Sequence, residues 1–366
     1  MAGRSKEDES LEPIRRQIDE LDRQLQALLS RRATLARQAG AGKQGPRQTA
    51  LDFYRPDREA SVLQGVLDRN QGPLRDEQIV RLFREIMSAC LAQQEPLKVA
   101  FLGPEGTFSQ AAVLKHFGHE VRDLALASIE EVFHQVEAGV SDFGVVPVEN
   151  SSEGSVSDTL DMFLFSPLKI CGEVELRVRQ HLLGHQQDLA DVRKVYSHQQ
   201  SLSQCRAWLD QKLPHAERVP VSSNAEAARM ARDEEGTAAI AGDAAADAYG
   251  LQVLMANIED RPDNTTRFLV IGRESYPPSG RDKTSLLLAS RHKAGALYEL
   301  LSPLAKHDVS MTRIESRPSR RGKWDYVFFV DVQGHSEEPN IAAALTDLES
   351  AASLFRVLGS YPCAIL

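Results

Sequence analysis

Apolar residues at Ile14, Ile18, Leu21, Leu25 and Leu28 recur in alternating steps of four and three, and the next position in that rhythm is Arg32. A guanidinium in an apolar seam is costly unless it is paired and hydrogen-bonded. Its partner is either an acid on a neighbouring helix or an anionic ligand held among helices. Farther along, three polar turns adjoin apolar strands: GPEGTFS (103–109), PVENSSEGSV (147–156) and DNTTRF (263–268). The first sits between a strand and a helix, where backbone N–H groups at a helix N-terminus face an anion. Each turn also has a plainer reading, as a Gly-rich crossover, an N-cap region or a β-branched strand start.

The elements that must position these groups follow from periodicity. The 4-3 seam marks a long amphipathic helix ended by the glycines of GAGKQGP (40–46), with further helices over about 56–68 and 76–94. From Lys98 short apolar strands alternate with helices, which predicts a parallel α/β sheet. A second set, beginning with ICGEVELRV (170–178), and the returning strand TRFLVIG predict two lobes around a cleft. Past the linker RESYPPSGRD, the order βαββαβ is the ferredoxin-like split arrangement.

The 366 residues leave room for two or three domains. Residues 1–95 hold 16 Lys/Arg against 15 Asp/Glu, so the net charge of −9 falls on the rest of the chain, which argues against a nucleic-acid partner. Cys90, Cys171, Cys205 and Cys363 form no CxxC pair, so no metal or disulfide framework is expected. The start MAGRSKEDES lacks an apolar signal segment, and no run approaches a membrane span, which predicts a cytoplasmic protein.

The succession Arg15, Arg32, Lys43, Arg58-Glu59 and Gln94, within IRRQIDELDRQLQALLSRR, YRPDRE and QQ, resembles the all-helical chorismate mutases over about the first 95 residues. The resemblance implies that Arg15 and Arg32 meet substrate carboxylates, that Lys43 and Gln94 contact the ether oxygen, that Glu59 holds the ring hydroxyl, and that Arg58 binds substrate beside it. Cys90 stands at a substrate-side position where some members have serine, and Arg55 where some have an acid. The rearrangement needs no cofactor, only a held conformer and donors where charge develops. Arg15 and Lys43 are 28 residues apart, about 42 Å along one straight helix. If both serve one pocket, one of them comes from a second chain.

The three turns together with SHQQSLSQC (197–205) look like the prephenate dehydratases over about 97–272. That likeness implies a catalytic Thr266 and a substrate-binding Arg267, with Thr107, Ser109, Glu149, Asn150 and Ser151 lining the cleft, joined by His198, Gln199 and Gln204. GALYELL (295–301) and ESRP (315–318) resemble the phenylalanine-binding motifs of ACT regulatory domains. They imply an effector site at Gly295, Ala296, Leu297, Glu315, Ser316 and Arg317. The expected chain is therefore multidomain: an all-α mutase (8–95), a two-lobed, periplasmic-binding-protein-like α/β dehydratase (97–273) and an α+β ferredoxin-like ACT domain (282–362). The expected ligands are chorismate, prephenate and L-phenylalanine. No metal or cofactor is expected, and the assembly is a homodimer through the helical and ACT domains or something larger. A binding-only sensor and arogenate as dehydratase substrate are the alternatives.

Overall fold

The computed structural model describes residues 6–41, 54–93, 95–290, 293–319 and 326–365. Lys43 and Gln94 lie outside the described residues. Three helices come first: α1 (Lys6–Ala41), α2 (Pro56–Arg69) and α3 (Asp76–Ala92). In α2 a proline opens the helix and Asp57 and Glu59 sit in its first turn, where acids complement the helix dipole. At the start of α3 the Gln78 side chain accepts the Arg75 backbone N–H. Helices α2 and α3 bury Leu63, Val66 and Val80. The seam of α1 stays open, with Ile14, Ile18, Leu21, Leu25 and Leu28 between 51% and 61% exposed.

The first lobe contains β1 (Lys98–Leu102), α4 (Phe108–Phe117), β2 (Arg122–Leu126), α5 (Ile129–Glu137), β3 (Phe143–Asn150), β4 (Gly154–Ser155), α6 (Ser157–Phe163) and β5 (Lys169–Arg177). The second contains β6 (His181–Gly184), β7 (Lys194–His198), α7 (Gln199–Gln204), α8 (Arg206–Lys212), β8 (Glu217–Val221), α9 (Asn224–Asp233), β9 (Thr237–Ala241), α10 (Asp243–Tyr249) and β10 (Gln252–Met255). Strand β11 (Thr265–Gly272) then re-enters the first sheet, giving the order β2-β1-β3-β11-β5 with β4 beside β3. The second sheet runs β10-β6-β9-β7-β8.

Two expectations need correction. The sheets are mixed rather than parallel, because β11 enters antiparallel to both β3 and β5, and β6 runs antiparallel to β9. ICGEVELRV also belongs to the first lobe: it forms most of β5, whose backbone pairs along the whole of β11. The crossover into the second lobe comes just after it, where the Val178 N–H donates to the Asn264 carbonyl of the returning segment.

The last unit has the expected order: β12 (Asp282–Ala289), α11 (Ala296–Lys306), β13 (Met311–Pro318), β14 (Tyr326–Gln333), α12 (Pro339–Ala351) and β15 (Leu354–Pro362). Its antiparallel sheet, β13-β14-β12-β15, buries Leu286, Leu288, Val330 and Val332 in a core with Leu300 and Leu304 of α11 and Ile341 and Leu348 of α12. The alternate residues Leu287, Val327, Phe329 and Leu358 share a core with Val146, Val148, Leu269 and Ile271 of the first lobe. Period-two alternation thus gives both sheets a second apolar face, and the two faces meet. A Cβ on Gly359 would fall 2.2 Å from the Ile170 carbonyl, so β15 rests on β5 only because that residue has no side chain. Among the described residues no helix is long and apolar enough to cross a membrane.

Candidate active sites

A cleft of about 1020 Å³ opens between the two lobes. Strand alternation sends Thr266 and Phe268 of β11 into it and turns Arg267 to the opposite face. Thr266 is 9% exposed and sits opposite Asn150 of β3 in the register. The Asn150 amide NH₂ lies 2.9 Å from the Thr266 hydroxyl oxygen and 2.8 Å from the Asn264 side-chain oxygen. Its orientation is fixed, because the Asn150 side-chain oxygen accepts the Ser152 backbone N–H at 3.0 Å. The NH₂ group must therefore donate to Thr266, whose own O–H is left to point elsewhere.

The cleft wall includes the N-termini of two ten-residue helices, one from each lobe. Thr107 caps α4, its hydroxyl accepting from the Gln110 N–H, and Ser223 caps α9, accepting from Glu226. Ser223 and Glu226 have the S-x-x-E spacing of a capping box. Two positive helix ends thus meet across one space, an arrangement that favours an anion with two charged groups. No Lys or Arg is among the described lining residues.

Of the residues expected there, Thr107, Ser109, Asn150, Thr266, His198 and Gln204 line the cleft. Four do not. The Arg267 guanidinium donates to Glu173 (2.8 Å), Asp331 (2.7 Å) and the Tyr361 hydroxyl (2.9 Å), on the side facing the C-terminal sheet. Glu149, its register neighbour, pairs with Arg313 at 3.1 Å on the same side. Ser151 ties its loop to Thr265, and Gln199 is exposed at the start of α7. Sequence reasoning missed Gln180, Ser201 and Asn224, which line the cleft in one hydrogen-bonded set, and Asn264, which lines it beside Asn150. The capping sequence SSNAE around Ser223 was the available signal for Asn224.

In the helical segment, Arg15 and Arg58 are exposed and Arg32 is half-buried, donating to the Ile86 carbonyl of α3 at 3.4 Å. Cys90 is buried. Glu59 faces the dehydratase lobe and lies 3.8 Å from Arg84. Burial pushes its carboxyl up to about 7, against the Arg84 guanidinium and the Tyr54 hydroxyl, which favour the charged form. Beside it Tyr54 meets His116, which burial, with Arg84 adding to it, holds down at about 3.

Family models match in the same three blocks: chorismate mutase type II over residues 14–95, prephenate dehydratase over 99–276 and the ACT domain over 284–350. A bifunctional chorismate mutase/prephenate dehydratase of Stutzerimonas stutzeri is 53% identical, the match covering 98% of this chain and 100% of that one. The chain belongs to the bifunctional chorismate mutase/prephenate dehydratase family. It is an enzyme with both activities, converting chorismate to prephenate and prephenate to phenylpyruvate. The crystal structure of a prephenate dehydratase from Arthrobacter aurescens in complex with L-Phe matches 73% of this chain and 90% of its own, at 34% identity and a TM-score of 0.68. A structure described as a quorum-quenching acylase, GqqA, matches 73% of this chain and 98% of its own, at 32% identity and a TM-score of 0.68.

In the ACT unit of this family member, Gly295 takes the left-handed conformation (φ 77°) at the head of α11, with Ala296 and Leu297 in the first turn. Strand β13 is an edge strand that turns Arg313, Glu315 and Arg317 inward and exposes Ile314, Ser316 and Pro318. Arg317 does not stand free for an effector: it donates to Ser157 and Asp161 of α6, each at 2.7 Å.

Proposed function

We propose that residues 8–95, 97–273 and 282–362 carry the mutase, dehydratase and regulatory roles, and that Thr266 is the proton-side group of the dehydratase. The single observation that carries this reading is the Asn150 amide, which occupies an acceptor site of the Thr266 hydroxyl and so leaves its hydrogen available to a ligand in the cleft. Prephenate loses its ring carboxylate as carbon dioxide. The electron pair released enters the ring and expels the hydroxyl, which leaves as water once it is protonated. A donor aimed at that hydroxyl lowers the barrier without any nucleophile. The helix ends at Thr107 and Ser223 suit the two carboxylates.

Prephenate is preferred over arogenate as substrate because the fused mutase makes it. In the mutase, Arg15, Arg32 and Arg58 hold the dianion, and Lys43 and Gln94 meet the ether oxygen. The open apolar seam of α1 supports a homodimer in which a second α1 covers it and shares the pocket. Exposed Leu297, Tyr298, Ile314 and Tyr326 beside the effector motifs support a second contact between ACT units. L-phenylalanine bound at Gly295–Leu297 and Glu315–Ser316 inhibits by favouring one conformation. The four free thiols suit a reducing cytoplasm. Following prephenate and phenylpyruvate after addition of chorismate, with and without phenylalanine, tests the scheme; arogenate turned over faster than prephenate would overturn the substrate choice.

A further inference from the structure

The cleft residues Thr266 and Asn150 are register partners on β11 and β3, and the adjoining pair, Arg267 and Glu149, faces the ACT sheet. Opposite them lies another adjacent pair, Asp331 of β14 and Arg313 of β13, which are register partners in their own sheet. Each sheet thus presents one acid and one base, and the partners are exchanged across the interface. Arg267 meets Asp331 at 2.7 Å and Arg313 meets Glu149 at 3.1 Å. Arg313 also donates to Ser155, whose residue lines the cleft, at 2.8 Å. The Arg267–Asp331 pair is well buried and further held by Glu173, Ser285 and Tyr361. Lys283 of the ACT sheet completes it by donating to Glu173.

We propose that this exchanged quartet, Arg267–Asp331 and Arg313–Glu149, positions Thr266 and Asn150 and carries the effect of the regulatory sheet into the dehydratase cleft. The physical reason is strand geometry. A residue and its successor point to opposite faces of one rigid strand, so displacing Arg267 or Glu149 moves the backbone that carries Thr266 or Asn150. The buried Arg267–Asp331 pair has few alternative partners, so a small shift of β14 forces a discrete change there rather than a gradual one, and β13 follows through its pairing with β14. Strand β13 carries Glu315 and Ser316 of the effector motif, two and three residues beyond Arg313. Arg313 and Asp331 are positioning residues, since neither lines the cleft.

The proposal rests on Thr266 and Asn150 as the working pair. A fully active Thr266→Ala variant would remove that reading, separately from the test below. In the intact chain, Arg313→Gln and Asp331→Asn each remove one charge of the quartet. Both are expected to lower kcat for prephenate several-fold with KM kept and mutase turnover unchanged. Calorimetric phenylalanine binding persists, while the phenylalanine concentration giving half inhibition rises about tenfold or more. Exchanging the charges in Arg313→Glu/Glu149→Arg regains part of the lost inhibition, which a mere packing role would not allow. Undiminished inhibition in folded variants overturns the proposal, and so does loss of phenylalanine binding itself, which would make these residues part of the effector pocket. Should Asp331→Asn fail to fold, Arg313→Gln on the edge strand decides alone.

Discussion

The dehydratase cleft draws Thr266, Asn150 and Asn264 from segments that hydrogen-bond to one another within a single chain. The α1 helix, by contrast, carries Arg15 and Arg32 beside an apolar seam that is more than half exposed. In the first region the polar groups are fixed before a ligand arrives, because neighbouring strands and capped helices hold them. In the second, the cations sit along a helix with no described cover for its apolar stripe. Preorganised donors can work in one chain, whereas a long helix presents its groups too far apart to converge without another helix against it. One chain thus contains a site whose polar groups are held by tertiary structure and a helix whose apolar seam is left open among the described residues.

The largest effect expected is at Thr266. Replacing it with alanine should lower prephenate turnover about 10²–10⁴-fold while chorismate still yields prephenate. Equal loss of both activities would show that the two regions are not independent. Arg32→Ala should do the reverse, lowering mutase turnover about 10²–10³-fold and sparing added prephenate as a dehydratase substrate. Mixing inactive Arg15→Ala and Lys43→Ala chains should then restore a fraction of mutase activity in hybrid dimers. Failure after verified subunit exchange would mean that the mutase pocket, like the cleft, is built within one chain.

Smaller effects sharpen the contrast. Glu315→Ala should raise the phenylalanine concentration for half inhibition by about tenfold while basal rates persist; unchanged inhibition and calorimetric binding would move the effector site elsewhere. The smallest effect is a pH dependence of stability at the junction between the two regions. Glu59 titrates near 7 in the fold against an ordinary value of 4.5, so the fold favours its protonated form. Its contribution is complete below about 4.5 and is lost as pH rises through about 7, a change on the order of 3 kcal/mol. Denaturant melts of Glu59→Gln should therefore fall less between pH 5 and 8 than those of the unaltered protein. Parallel curves would place the Glu59 carboxyl in an ordinary aqueous environment.

Much of this is legible in the sequence alone. The 4-3 rhythm from Ile14 to Leu28 defined α1, and the strand–turn–helix texture after Lys98 defined the lobes, because both periods follow from local backbone geometry. The order βαββαβ at the C-terminus was readable for the same reason. The turns at Thr107, Asn150 and Thr266 could be singled out, since short polar residues next to apolar strands mark where strands end or begin. Sequence did not reveal that β11 would enter antiparallel between β3 and β5, because pairing partners are chosen by contacts far apart along the chain. Nor did it reveal which side of β11 would face the cleft and which a second sheet. Both sides are apolar beyond Arg267, so alternation alone could not tell cleft from interface.

Arg267 is the clearest instance. The resemblance to the dehydratases implied a substrate role for it, yet a strand sends neighbours to opposite faces, and the sheet bearing Asp331 covers the other face. The sequence determined which elements form and which residues alternate along them, through rules that act within a few positions. Only the tertiary structure decided what each face meets, because that depends on the docking of sheets whose residues lie as far apart in the chain as Glu149 and Arg313.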